Sequence, residues 1–137
     1  MQRCPACDAR LKDLSQCSRC GADLSRIMRC ERLAEAWLSV SLQALQANRA
    51  DVAVPAICRS LSFRQMPAAK LLKGFLIQHQ YRALYESLGL QSWQDAGDIV
   101  DRLRILQGDN ETLQRFDELL GYLSAQANNR VSPRRLG

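Results

Sequence analysis

Aromatic side chains are scarce in this chain, at 6% of residues, and there is one histidine, His79. So few rings argue against a β-sandwich and for an aliphatic helical core. A lone histidine beside Gln78 and Gln80 reads as a surface or half-buried structural residue rather than a general base. Long hydrophobic runs are missing too. No stretch reaches the roughly 18 apolar residues of a membrane span, and the start MQRCPACDAR has no apolar segment of signal-peptide length. The expectation is a soluble, cytoplasmic protein. G-x-G-x-x-G, P-loop, G-x-S-x-G and H-E-x-x-H patterns are all absent. The chain is therefore expected not to be an enzyme.

What the chain does have is cysteine. Four of its six fall within the first twenty residues, as C-x2-C-x9-C-x2-C at Cys4, Cys7, Cys17 and Cys20. Each C-x2-C is a knuckle, a tight turn that aims two sulfurs at one metal while backbone N–H groups face the thiolates. Two knuckles supply the four sulfurs of a tetrahedral Zn²⁺ site. Pro5 presets φ inside the first knuckle. Gly21 follows the second and can take a positive φ, and Asp8 holds the equivalent position with more tolerance of that region than most residues. Leu11, Leu14 and Leu24 bury too little to order some two dozen residues, so a metal is required and the module must also lean on a neighbour. Iron suits the same four thiolates. Two disulfides or a redox pair are the other readings; the reducing cytosol and the lack of a βαβ context disfavour them.

The segment CPACDARLKDLSQCSRCGADL resembles short bacterial and archaeal zinc-ribbon modules, with C-P-x-C, a turn insert, then C-x-x-C-G-A-x-L. The resemblance spans residues 2–26. It implies the same four ligands and two short β-hairpins, and nothing catalytic. Cys30 and Cys58 lie outside it, in helical patterns, and read as small buried hydrophobes.

From about Ser25 the apolar spacing turns helical. A first helix runs to Asn48 and Arg49, with Leu33, Trp37, Val40, Ala44 and Ala47 on one face. Leu38, Leu42 and Leu45 form a second stripe, so both sides are expected to be covered. Asp51 is the expected N-cap of a second helix through Leu61, with Val54, Ile57, Cys58 and Leu61 inward and Pro55 in its first turn. Pro67 opens a third helix to about Leu88, with Leu71, Leu72, Phe75, Leu76, Ala83 and Leu84 inward and Gly89 as its stop. Ser92 and Asn110 cap a fourth helix, ending at Gly108, and a fifth carrying Leu113, Phe116, Leu119, Leu120 and Leu123. Residues 34–67 resemble one tetratricopeptide repeat at Trp37, Ala53 and Ile57, though Ser41 and Ala44 stand where that family has other residues. The expected fold is mainly α: a β-hairpin zinc ribbon at 1–26, then helical hairpins at 27–128 (27–89 tetratricopeptide-like, 90–128 a C-terminal pair), and a flexible tail at 129–137. Such helices pack as tetratricopeptide-like units or as a plain bundle.

The formal charge is +5, and four thiolates with one Zn²⁺ lower it to +3, too mild to imply nucleic acid. Arg59, Arg64, Lys70, Lys73 and Arg82 follow one another with no acid between them, which marks a candidate rim for an acidic partner or a phosphate backbone. Asp95, Asp98 and Asp101 share one helix face and read as solvated. The favoured expectation is an adaptor or accessory protein that binds another protein. Nucleic-acid binding through the basic rim, and an assembly chaperone or redox factor using Cys30 or Cys58, are the alternatives.

Overall fold

The computed structural model describes residues 2–12 and 15–131. Among the described residues five helices follow the N-terminal cysteine segment: α1 (Ser25–Gln46), α2 (Ala50–Phe63), α3 (Pro67–Gly89), α4 (Trp93–Gln107) and α5 (Glu111–Val131). The chain divides into two compact units at Leu71 and Leu72. None of the helices is long and apolar enough to cross a membrane.

In the first unit α1 packs against α2. The shared face is made of small residues: Ala34, Ser41 and Ala44 on α1, and Ala53, Ala56 and Ser60 on α2 are all buried. Short side chains let the helix backbones approach closely. Two buried hydroxyls then hold the pair together: Ser41 Oγ donates to Ala53 C=O at 2.8 Å, and Ser60 Oγ donates to Ala34 C=O at 2.7 Å. Val54, Ile57 and Leu61 supply the larger apolar side chains on α2. α1 is not covered on both sides as its two stripes suggested. Leu33, Val40 and Leu42 are exposed, because the row 34–41–44 takes the contact with α2.

Turn chemistry differs from expectation in places. α2 starts at Ala50 with Arg49 as its N-cap, so Asp51 lies inside the first turn and pairs with Arg49 Nη2 at 3.0 Å. Pro55 consequently falls in the second turn, on the exposed side of the helix. At the end of α3 the helix includes Gly89, and Gln91 takes the positive φ of 59°.

The second unit has its core where α3, α4 and α5 contribute Leu84, Ile99, Val100, Leu103, Leu113 and Leu120. Asn110 caps α5 as expected, its Oδ1 accepting the Leu113 N–H at 2.9 Å. Gly108 breaks α4 with φ 77°. Arg104 on α4 bonds Asp101, Asp109 and Asp117, tying α4, the turn and α5 to one guanidinium. Phe75 is 55% exposed, and Leu71, in the part of α3 assigned to the first unit, is 77% exposed; both were expected inward. α3 is apolar on several sides, and its buried row runs through Leu72, Leu76, Gln80 and Leu84 instead.

The β-hairpin zinc ribbon is not formed. Among the described residues there is no β-strand, only two isolated antiparallel bridges, Arg3 with Arg10 and Gln16 with Asp23. The reason is local. Six residues lie between the partners of each bridge, and the C-x2-C turn uses them; α1 then begins at Ser25, two residues past Asp23. After the second bridge no length remains for a ladder. The tetratricopeptide resemblance shrinks likewise to a single helical hairpin, α1 with α2.

Candidate metal centre

The two knuckles repeat the same backbone pattern, offset by thirteen residues. Cys4 N–H donates to Ala9 C=O at 2.9 Å, and Cys17 N–H to Ala22 C=O at 2.9 Å. Asp8 N–H donates to Cys4 C=O at 2.8 Å, and Gly21 N–H to Cys17 C=O at 2.9 Å. Leu11 N–H reaches Gln2 C=O, and Leu24 N–H reaches Ser15 C=O. Closing each turn needs a left-handed residue after the second cysteine. Asp8 (φ 57°) and Gly21 (φ 72°) take that role. Arg3 Nη1 bonds Asp8 Oδ2 at 2.9 Å across the first knuckle.

This arrangement brings all four Sγ atoms within 4.8 Å of one another. Across the knuckles, Cys4 and Cys20 stand 3.7 Å apart and Cys7 and Cys17 stand 3.6 Å apart. Tetrahedral zinc with bonds of about 2.3 Å requires sulfurs about 3.8 Å apart. The cluster is thus arranged to coordinate a single Zn²⁺. Cys4 and Cys17 are buried, Cys7 is half-buried and Cys20 is exposed, so the metal would sit at a surface with its inner side sealed. Leu24 and Met28 pack behind Cys4 and Cys17 with Ala9, Leu11 and Ala22. That is the neighbour the knuckles lean on: the first turn of α1. Leu14, also expected in this core, lies outside the described residues.

Four thiols this close cannot all ionise without a cation. The Cys17 thiol is lowered to about 6, chiefly because the backbone N–H groups of Cys20 and Arg19 stabilise its thiolate. Cys7 is driven the other way. The Ala9 N–H lowers it, but burial and the neighbouring sulfurs of Cys20, Cys17 and Cys4 outweigh that and push it up to about 12. A divalent metal removes the conflict by stabilising every thiolate at once.

The five basic residues of the candidate rim are divided between the two units. Arg59 lies over the Trp37 ring at 5.3 Å, and Arg64 Nη1 bonds Glu31 Oε1 at 2.7 Å. Lys70 is exposed at the start of α3, whereas Lys73 and Arg82 belong to the second unit. His79 is half-buried, with Nδ1 3.2 Å from Gln80 Nε2 and its ring 6.3 Å from that of Phe75. Asp95, Asp98 and Asp101 are exposed, and among the described residues only the four cysteines converge as metal ligands. Cys30 and Cys58 are half-buried on α1 and α2.

One feature escaped the sequence reading. Beside the knuckles, Ser15, Ser25, Arg29, Arg32, Leu33 and Ala36 line a cleft of about 440 Å³. A second cleft of about 230 Å³ shares Ser25 and Arg29 with it and adds Arg26. The signal was present as Arg29, Arg32, Leu33 and Ala36 at helical spacing, but Glu31 and Glu35 interrupt the run and hide it. No family model matches the chain, and comparison with curated proteins and with solved structures finds no significant similarity.

Proposed function

We propose that this protein is a non-catalytic adaptor that binds another protein, with the zinc-stapled knuckles and α1 forming one continuous contact surface. The observation that carries this reading is α1 itself. Its inner row packs on α2 and its first turn supports the metal module, yet Leu33, Val40 and Leu42 are left facing solvent. Uncovered apolar side chains beside a rigid metal-held loop are what a partner surface requires. The single histidine is engaged with Gln80, and the cysteine quartet has all four positions filled by protein, which leaves no open coordination site for a substrate.

Capture with the zinc-loaded protein, followed by reconstitution from purified components, tests the reading. A saturable complex that weakens when Leu33 and Val40 are both changed to Ser is the expected result. A folded, zinc-loaded protein that forms no saturable complex with any captured protein means the reading is wrong. Arg59 and Arg64 are already engaged within the chain, which counts against nucleic-acid binding through the basic rim.

A further inference from the structure

Resting on the adaptor reading, we infer that the cleft between the second knuckle and α1 is the seat of a glutamate- or aspartate-rich segment of the partner, held by Arg29 and Arg32. Both arginines line the 440 Å³ cleft, one helical turn apart, together with Ser15 and Ser25. Among the described residues neither arginine is within ion-pair distance of a carboxylate, unlike Arg49, Arg64, Arg104 and Arg115. Arg26, in the adjoining cleft, already faces Asp23. The attraction does not come from the helix end, because Asp23 Oδ1 accepts the Ser25 N–H at 3.0 Å. It comes from two guanidinium forks, whose planar donors match a carboxylate in pairs.

The rest of the lining selects the kind of anion. Leu33 and Ala36 give the cleft an apolar wall, and Val40 continues it along the same face of α1. An acidic segment that also carries an apolar side chain satisfies both parts. A nucleic-acid strand is served poorly, since the lining has no ring for a base to stack on.

The test uses the full-length zinc-loaded protein and three probes: a capped peptide of alternating glutamate and leucine, its glutamine counterpart, and a short oligothymidylate. The glutamate peptide is expected to bind best, to weaken as salt rises, and to perturb the side-chain Nε–H resonances of Arg29 and Arg32. R29Q/R32Q should lower its affinity by roughly fivefold or more, with zinc content and helicity unchanged because both side chains are exposed. R115Q, in the second unit, should leave it unchanged. The inference is overturned if the glutamate peptide does not bind, if R29Q/R32Q binds it as tightly, or if the oligothymidylate is preferred. In the capture experiment, a partner retained equally by R29Q/R32Q sinks this site alone, whereas a wild-type protein that captures nothing sinks the adaptor reading.

Discussion

Individual residues divide the work of the metal centre unevenly. The Cys17 thiol is lowered because two backbone N–H groups already face its sulfur, and the Cys7 thiol is raised by burial and by the three neighbouring sulfurs. Zinc should therefore be released as pH falls and the thiolates are protonated, and Cys17→Ser should move that release to higher pH, read by transfer of the metal to a colorimetric chelator. The signs follow from linkage. The lowered Cys17 contributes stability that is present above its ordinary value of 9.0 and lost as pH falls through about 6. The raised Cys7 contributes stability present below 9.0 and lost as pH rises through about 12. Asn110 acts alone as a cap, and Asn110→Ala should cost about 1 kcal/mol in denaturant unfolding.

At the scale of elements, the α1–α2 pair depends on what its side chains lack. Ala53 is fully buried and its carbonyl accepts the Ser41 hydroxyl, so there is no room for a larger neighbour. Ala53→Leu should destabilise the protein by about 1–3 kcal/mol through overpacking, whereas Ser60→Ala, which removes one buried hydroxyl bond, should cost about 1 kcal/mol. Denaturation midpoints for the two variants check both values, and the larger loss belongs to the leucine. In the second unit the core is conventional. Leu103→Ala leaves a cavity among Leu84, Val100 and Leu113 and should cost about 2–5 kcal/mol.

For the whole molecule, metal removal separates what zinc holds from what helix packing holds. The amides of Cys4, Asp8, Cys17, Gly21 and Leu24 are bonded only within the knuckles. A strong chelator should abolish their hydrogen-exchange protection. Leu103 and Leu113 sit in a core built entirely from residues 77–120, and their protection should persist. If both groups lose protection together, the metal is stabilising more than the N-terminal module. The four ligands were legible from cysteine spacing alone, because two knuckles leave few ways to arrange four sulfurs. The zinc-ribbon fold was not, because the same spacing is satisfied by turns closed with single bridges.

The five helices and several of their ends were written into local chemistry: apolar periodicity, Pro67, Gly108 and the Asn110 cap act within a few residues of themselves. Which face each helix buries was decided only by tertiary structure. α1 has two apolar stripes of similar strength, and its choice of the small row Ala34, Ser41 and Ala44 depends on the complementary small residues of α2. Phe75 was lost to solvent for the same kind of reason, since a neighbour decides which side of an all-round apolar helix is covered. The cleft at Arg29 and Arg32 exists only because the second knuckle folds back beside α1, bringing Ser15 to residues more than ten positions away. Spacing in a chain determines what can bind a metal; packing between segments determines what is left open for a partner.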